Sequence, residues 1–286
     1  MGADIGAAML DASFSPLMQR SRGEAHVSLR AQGGRVRLVD LRQAGSAKAM
    51  LPHGSGDVAE VVFLNTSGGL TGGDRLEYRL DVGAGARVLA TTQTAERCYC
   101  SAQGVAEVRV AMTAAAGGRI DWMPQETIVF DGAAMLRRTE MDLAEGAEAL
   151  LAESIVLGRL AMGEALARVD LRDQRMIRRQ GRPVWAESLA LQDAVLAARG
   201  SAAVLGQARA VAVVALVAQG AEDAVASVRA LLGMDGCAGA VSGWDGKCVV
   251  RLMAADGWPL RRQMGRILQA LSGGGLPRVW QSGGMT

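Results

Sequence analysis

A recurrence of glycine-centred turns most constrains what this chain of 286 residues can fold into. Alternating apolar residues, such as Leu76 and Tyr78, lead into turns that contain Gly85, Gly117 and Gly146, and a strand-like segment follows each turn. The three glycines are separated by 32 and 29 residues. A period of two is typical of a half-buried strand, and a repeat of this length suits one supersecondary unit. The sequence therefore predicts a mainly β protein in which β-hairpins stack in a β-helix-like arrangement.

Polar side chains stand at a similar distance beyond each glycine of the recurrence. They are Thr92 and Gln93 in the first unit, Gln125 and Glu126 in the second, and Glu153 and Ser154 in the third. Stacked units would superpose these positions. We therefore expect them to line one continuous polar stripe.

The last third of the sequence has a different hydrophobic pattern. Residues 211–216 are continuously apolar, which indicates a strand buried on both faces. Apolar residues then recur at helical spacing near 221–232 and near 259–271. We expect about two C-terminal α-helices within a single domain spanning 24–286, preceded by a flexible N-terminal segment at 1–23.

The composition argues against a nucleic-acid or membrane partner. Thirty-one basic and 29 acidic residues leave a formal charge of +2, with no surplus to neutralise a phosphate backbone. The longest apolar run, 210–218, is far shorter than the roughly 20 residues that cross a bilayer. The first residues lack the basic region of a secretory signal, and four cysteines in this length do not resemble a disulfide framework. We expect a cytoplasmic protein.

Residues that would carry hydrolytic chemistry are sparse. The two histidines, His26 and His53, form no HExxH pattern, and no GxSxG motif accompanies them. The glycine-rich stretch 65–74 could present backbone N–H groups to an anion, but it lacks the lysine of a phosphate-binding loop. We interpret this stretch as tight turns between strands, and we predict that the protein is not an enzyme.

Cys98 and Cys100 are spaced to present two thiols on one face of a strand. Two thiolates can bind a soft metal, but a complete site needs more ligands, and Cys237 and Cys248 are distant in sequence. We favour buried cysteines that act as small apolar side chains. A metal role for the pair is left open.

Carboxylates are more frequent between the apolar segments. Asp74, Glu126, Asp131, Glu153 and Glu164 could pass a divalent cation along a polar path without trapping it. As turn residues or hydrogen-bonding caps they would have a structural role instead. Another alternative is a β-solenoid enzyme acting on a polymer through paired carboxylates such as Glu126 and Asp131, although 3% aromatics offer few platforms for a carbohydrate. A plain interaction module is a third.

Five segments resemble, in order, the motifs of one family. They are 65–74 (NTSGGLTGGD), 91–95 (TTQTA), 122–133 (WMPQETIVFDGA), Glu153 with 158–159 (GR) and 163–164 (GE), and 276–280 (LPRVW). On these motifs the chain is identified as a member of the UreD (UreH) family of urease accessory proteins. The resemblance covers roughly residues 24 to 280, and the stretch 97–100 (RCYC) departs from the family pattern.

The resemblance implies a β-helix-like fold with few helices and a non-catalytic role in urease maturation. It implies that the chain binds the urease apoprotein subunits on one side and UreF on the other. UreF carries UreG, whose GTP-dependent activity brings nickel; a dimer of the accessory complex is left open. No cofactor is expected to be tightly bound, and Ni²⁺ is expected in transit. With the polar stripe, this assigns the nickel path to Asp74, Glu126, Glu153 and Glu164, lined by Thr92, Gln93 and Gln125.

Overall fold

A computed structural model describes residues 20–52, 57–159, 162–164, 166–201 and 203–281. Most of the expected N-terminal segment at 1–23 lies outside these residues, as does His53. The first strand already begins at Arg22, within that segment. The end of the expected domain, at 282–286, also lies outside the described residues.

The described residues form seventeen strands and four short α-helices. The strands are β1 (Arg22–Gln32), β2 (Arg35–Gly45), β3 (Ala47–Met50), β4 (Val58–Asn65), β5 (Arg75–Val82), β6 (Arg87–Thr92), β7 (Glu96–Cys98), β8 (Ala106–Ala114), β9 (Arg119–Trp122), β10 (Thr127–Val129), β11 (Ala133–Leu143), β12 (Glu148–Leu157), β13 (Val169–Arg179), β14 (Arg182–Gln192), β15 (Ala210–Val217), β16 (Cys237–Trp244) and β17 (Lys247–Ala254). The helices are α1 (Asp193–Ala197), α2 (Val225–Leu231), α3 (Gly257–Leu271) and α4 (Arg278–Gln281), and a 3-10 turn spans Ala221–Ala224.

The strands form two facing sheets, and each sheet has a central run of parallel strands. The first sheet has the order β14-β13-β11-β8-β5-β1-β2, and the second contains the run β16-β17-β15-β12-β9-β6-β4-β3. Within the first, β5, β8, β11 and β13 are parallel; within the second, β4, β6, β9 and β12 are parallel. Each successive unit adds one strand to each sheet. The result is a β-solenoid-like stack of about four turns, which confirms the expected fold class.

The structure also refines the stacked unit, because its two strands belong to different sheets. β5 pairs with β1 and β8, whereas β6, which follows it in the chain, pairs with β4 and β9. Each unit is therefore an arch between sheets, and its strands hydrogen bond to neighbouring units instead of to each other. Antiparallel hairpins remain at the ends of the first sheet, in β1–β2 and β13–β14.

The glycines of the recurrence stack on one another as the sequence predicts. Gly85 donates its N–H to the carbonyl of Ala116 at 3.0 Å, and Gly117 donates to the carbonyl of Glu145 at 3.2 Å. Gly85, Gly117 and Gly146 share a φ of 65°. This left-handed conformation favours glycine because a Cβ would be strained there. The recurrence thus marks three equivalent turns between the sheets.

The main core fills the space between the two sheets. Strand β5 alternates buried and less buried residues, with Leu76, Tyr78 and Leu80 facing inwards. Strand β6 meets it from the other sheet with Val88 and Ala90, which are also buried. Burying a leucine or valine side chain contributes roughly 1.5–3 kcal/mol. Apolar burial between the sheets therefore holds the stack together and leaves room for few polar groups.

The C-terminal third covers the outer face of the second sheet. β15 continues that sheet antiparallel to β12, and α3 packs across β15 and β17. Leu260, Met264 and Leu268 form the buried stripe of α3 and join a second hydrophobic cluster with β15 and β17. β15 is consequently buried on both faces, as its continuous apolar run predicts. None of the described helices has the length and apolar character to cross a membrane.

Candidate functional site

Two small cavities lie beside the irregular segments that follow strands β6 and β9. The inner cavity, of about 40 Å³, lies between the sheets; Tyr78, Thr92, Gln125, Arg137 and Glu153 are among its lining residues. The outer cavity, of about 50 Å³, lies beside the glycine-rich loop. Its lining includes Asn65, Gly68, Gly69, Gln93 and Glu96. Tyr78, Thr92 and Glu96 line both cavities, so the two spaces share one wall.

Glu96 begins strand β7, and the neighbouring arch fixes its position. Its backbone N–H donates to the carbonyl of Glu126 at 3.0 Å, where β7 pairs with the short parallel strand β10. The carboxylate accepts long hydrogen bonds from the amide nitrogen of Asn65, at 3.3 and 3.4 Å, and from the backbone of Arg97 at 3.2 Å. Among the described residues it forms no ion pair. Glu96 is therefore held by neutral donors alone.

Burial raises the pKa of Glu96 to about 7. The hydrogen bonds from Asn65 and Arg97 act in the opposite direction, and the negative charge of Asp74 adds to the rise. Desolvation disfavours the charged form of an acid, and no nearby cation outweighs it here. Near neutral pH this side chain is therefore divided between its protonated and its charged form.

Glu153 faces the same inner cavity and has very different contacts. Its Oε1 accepts hydrogen bonds from Trp122 Nε1 at 3.1 Å and Thr139 Oγ1 at 2.7 Å. Its Oε2 accepts one from Arg175 Nε at 2.7 Å and lies 3.3 Å from Arg137 Nη2. Burial alone would raise the pKa of Glu153, but the two guanidinium groups outweigh it and hold that pKa well below its usual range.

Asp173 completes this buried ion network. Arg137 binds it in a bidentate manner, with nitrogen–oxygen distances of 2.8 and 2.6 Å, and Arg175 also donates to it. Two arginines and two carboxylates thus form a group with no net charge, contributed by β11, β12 and β13. Such a network is costly to disrupt, because removing one member leaves a buried charge without its partner.

Gln125 lines the inner cavity, and a contact with α3 orients its amide. Arg261 of α3 donates to Gln125 Oε1 at 2.6 Å, and because a guanidinium can only donate, this contact fixes the orientation of the amide. The amide nitrogen Nε2 is buried and has no hydrogen-bond partner. Arg261 also lies 3.4 Å from Glu126 and stacks 4.5 Å from the ring of Trp280. The C-terminal helices therefore set the orientation of the Gln125 amide.

The predicted polar stripe comes together in part. Thr92, Gln125 and Glu153 line the inner cavity, and Thr92 and Gln93 line the outer one. Thr92 also accepts the backbone N–H of Gln125 at 2.9 Å, which joins two successive units. Glu126 lies beside this group but faces Arg261. The regular pairing between units ends at Trp122 of β9, and the predicted stripe is incomplete beyond that point.

Two of the predicted path residues act as caps elsewhere. Asp74 is buried and accepts the backbone N–H groups of Ser21 and Thr71 at 2.7 and 2.8 Å. Glu164 accepts the backbone N–H groups of Asp131 and Arg159 in a surface loop. Neither residue lines the inner or the outer cavity. The contacts of both are those of the structural alternative.

The sequence reasoning missed Glu96. It directly follows the TTQTA segment, and an acidic residue between that segment and the buried Cys98 is the one signal that could have identified it. The predicted stripe counted positions from the turn glycines, and Glu96 stands eleven residues beyond Gly85, past the part of the arch where the units superpose.

The glycine-rich loop is a packing element that closes the outer cavity. Its centre, Leu70, bridges to Cys98 and exchanges backbone hydrogen bonds with Arg97 and Tyr99. Gly69 has a φ of 147°, and a Cβ at this position would overlap the ring of Tyr99. The loop can approach β7 this closely because it has no side chain there. This supports the interpretation as tight turns.

The cysteines and the proposed carboxylate pair have separate roles. Cys98 is buried, and burial raises the pKa of its thiol to about 12, whereas Cys100 is exposed. The described residues contain no group of three or more histidine, cysteine, aspartate or glutamate side chains placed to hold a metal. Asp131 accepts the backbone N–H groups of Ala167 and Arg168. Its pairing with Glu126 as a catalytic couple is not favoured.

These features define a β-solenoid-like protein whose stack encloses a small, mostly apolar cavity with a few polar side chains in its wall. A sequence model described as UreD urease accessory protein matches residues 21–281. A urease accessory protein UreD of Cereibacter sphaeroides is 59% identical over 264 residues, covering 92% of this chain and 96% of the relative. Namesakes from Paracoccus denitrificans and Rhizobium leguminosarum are 48% and 44% identical, over 98% and 95% of this chain and 99% of each relative. The chain therefore belongs to the UreD family of urease accessory proteins, which confirms the resemblance.

Proposed function

We propose that this protein is a non-catalytic scaffold and nickel chaperone in urease maturation. In this proposal it binds the urease apoprotein subunits and UreF, reaches UreG through UreF, and supports the GTP-dependent insertion of Ni²⁺ in the cytoplasm. Membership of the UreD family and the names of its relatives support a role in urease maturation. The carboxylates that could have formed a catalytic pair make structural contacts, which agrees with a scaffold.

The observation that carries the nickel route is the shared wall of the two cavities. Thr92 and Glu96 line both of them, Gln93 at the outer one is exposed, and the inner one extends to Glu153 between the sheets. Cavities of this size hold a few water molecules each. A cation that keeps part of its water shell can move through such a space by weak, repeated contacts. Gln125 and Glu153 then form the wall, with Gln125 binding water and Glu153 holding the arginines in place.

A larger side chain in the shared wall, which narrows the space between the two cavities, tests this function. Thr92→Met adds a flexible apolar side chain where both cavities meet, and Thr113→Met makes the same change on an exposed position of β8. Each variant is expressed with the urease operon, and co-purification with the urease subunits and UreF is confirmed first. The nickel content of the urease is then measured. We expect Thr92→Met to lower nickel loading severalfold and Thr113→Met to leave it unchanged.

Two results would contradict the proposal. If the native chain does not co-purify with urease subunits or UreF, the scaffold role is wrong. If the Thr92→Met complex assembles and delivers a full complement of nickel, the interior route is wrong and the scaffold role remains.

A further inference from the structure

We propose that the free edge of strand β2 binds an extended, acidic segment of a partner protein, which adds one more strand to the first sheet. This inference deepens the scaffold role proposed above, because it names a surface and the chemistry of its partner, and it does not depend on the nickel route. β2 is the last strand of its sheet, and β1 is its one paired neighbour among the described strands. An edge strand presents unpaired N–H and C=O groups, to which an added strand can hydrogen bond.

The first argument is the uncovered apolar side of β2. Leu38 lies opposite Leu29 of β1, which is buried between the sheets, so both side chains point to the inner side of the first sheet. Leu38 is nevertheless 47% exposed. At the other end of the same sheet, β14 buries Trp185 and Leu191. The end of a stack needs a cap over its apolar core, and the β2 end is the less covered of the two.

Two more apolar side chains lie on this inner side of β2. Val36 and Leu41 are half-buried and pack against the main core. They stand on either side of Leu38, opposite Ala31 and Val27 of β1. Apolar side chains of an added strand would lie beside this row and remove part of it from water, which favours association.

The second argument is the charge on the outer side of β2. The strand contains three arginines, Arg35, Arg37 and Arg42, and one acidic residue, Asp40. All three arginines are exposed, and none of them forms an ion pair with a described residue. Arginines elsewhere on the outer face of this sheet do have carboxylate partners: Arg79 pairs with Glu77, Arg172 with Asp170 and Arg178 with Glu140. The β2 edge therefore carries positive charge that the described residues do not compensate.

The two sides of the edge together define the sequence pattern of the partner. Side chains that lie directly opposite each other on neighbouring strands have Cβ atoms about 4.5–5.5 Å apart. Successive residues of an added strand therefore face in turn the apolar side, with Leu38, and the basic side, with Arg37 and Arg42. Apolar residues suit the first side, and aspartate or glutamate suits the second. The partner is thus an extended segment in which apolar and acidic residues alternate.

The same features disfavour a second copy of this chain as the occupant. Two β2 edges would bring together strands that both carry a surplus of arginine, and like charges opposite each other are destabilising. Pairing with β1 also shifts between Ser28 and Leu29, which leaves Val39 as the extra residue of a β-bulge. Bulges and charged side chains are means by which edge strands avoid self-association. An acidic segment is attracted by the charge that repels a copy.

Fluorescence anisotropy with labelled synthetic peptides tests the proposal on the full-length chain. The acidic probe is an end-blocked peptide of the length of β2 in which valine and glutamate alternate, and the basic probe has lysine in place of glutamate. We expect the native chain to bind the acidic probe saturably and at least about tenfold more tightly than the basic probe. The preference should shrink as salt is added, because salt screens exposed charges.

A charge reversal at the edge provides the decisive variant. Arg37→Glu combined with Arg42→Glu changes two exposed side chains, and the double variant should bind the basic probe more tightly than the acidic one. A chain that is merely destabilised would not show this exchange of preference. The matched control combines Arg109→Glu with Arg138→Glu, the same change of charge at exposed positions of β8 and β11, which are paired along both edges. The control should bind both probes as the native chain does, and circular dichroism confirms that each variant is folded.

The apolar side of the edge has its own variant. Leu38→Thr keeps a side chain that suits a strand and removes most of the exposed apolar surface. It should weaken binding of the acidic probe severalfold and leave the preference for acidic over basic peptide unchanged.

Several outcomes would overturn the proposal. Absence of binding by the native chain is one, and equal effects of the edge variant and the control variant are another. Binding that requires deletion of residues 1–19 would assign the edge to that segment. A dimer that the acidic probe dissociates would assign it to a second copy. Co-purification separates this inference from the scaffold role: if the native chain binds the probe but neither urease subunits nor UreF, the surface stands and the scaffold role is wrong. The reverse result rejects the surface and keeps the scaffold role.

Discussion

Glu96 and Glu153 face the same inner cavity, and they differ in their partners. Glu153 is surrounded by Trp122, Thr139 and two arginines, which hold its pKa low, whereas Glu96 has neutral donors and a pKa raised to about 7. The first carboxylate is committed to the structure at every pH near neutrality. The second can exchange its proton. Compensation of charge, more than burial itself, therefore separates the pKa values of these two glutamates.

The two glutamates also have opposite effects on folding. A depressed pKa contributes stability that is present above the pKa of the unfolded chain and is lost as the pH falls. Glu153 therefore stabilises the fold at neutral pH. A raised pKa means that the folded state binds the proton more tightly, so stability decreases as the pH rises from about 4.5 to about 7. Glu96 therefore costs stability near neutral pH.

The largest expected effect comes from breaking the compensated site. Glu153→Leu leaves Arg137 and Arg175 sharing Asp173 as their one buried carboxylate partner, and we expect a loss of about 3–5 kcal/mol in the free energy of unfolding. Urea denaturation at pH 7.5 measures it. Glu145→Leu at an exposed turn is the control, for which a change within about 0.5 kcal/mol is expected. A loss below about 1 kcal/mol for Glu153→Leu would show that the network is not what holds the sheets at this point.

The second effect has the opposite sign. Glu96→Gln removes the cost of charging a half-buried acid, so the variant should be more stable than the native chain by about 1–3 kcal/mol at pH 8. At pH 4.5 both chains carry a neutral side chain there, and the difference should approach zero. Urea denaturation across this range gives the difference at each pH. A difference that does not change with pH would mean that the pKa of Glu96 is not raised, and the contrast with Glu153 would fail.

The stacked fold could be predicted from the sequence because its signals are local. Gly85, Gly117 and Gly146 each impose the same turn, and the strands beside them alternate with a period of two. The arch, as opposed to a hairpin, could not be predicted in this way. Both use the same alternating strands and glycine turns, and the choice depends on whether the second strand pairs with its predecessor or with the next unit. That pairing is a long-range contact.

The site could be predicted less well, for a related reason. Similar offsets from the glycines identified Thr92, Gln125 and Glu153 as neighbours, because the arches superpose as far as Trp122. They could not show that Arg137 and Arg175, from β11 and β13 of the facing sheet, would neutralise Glu153. They also stopped before Glu96. An ion pair that forms between two sheets cannot be recognised from the spacing of residues within either strand.

The substitution with the smallest expected effect on stability tests the comparison most directly. It gives Glu96 a cationic partner, as Glu153 already has. Gln93 is exposed at the outer cavity that Glu96 also lines, so Gln93→Arg can bring a guanidinium to that carboxylate without entering the core. Stability should change by less than about 1 kcal/mol, because a partly exposed ion pair contributes little. The added cation should lower the pKa of Glu96. The loss of stability between pH 4.5 and pH 8 should then become smaller, as urea denaturation can measure, with Gln93→Met as the uncharged control. An equal pH dependence of stability for Gln93→Arg and Gln93→Met would show that the missing counter-ion is not what distinguishes Glu96 from Glu153.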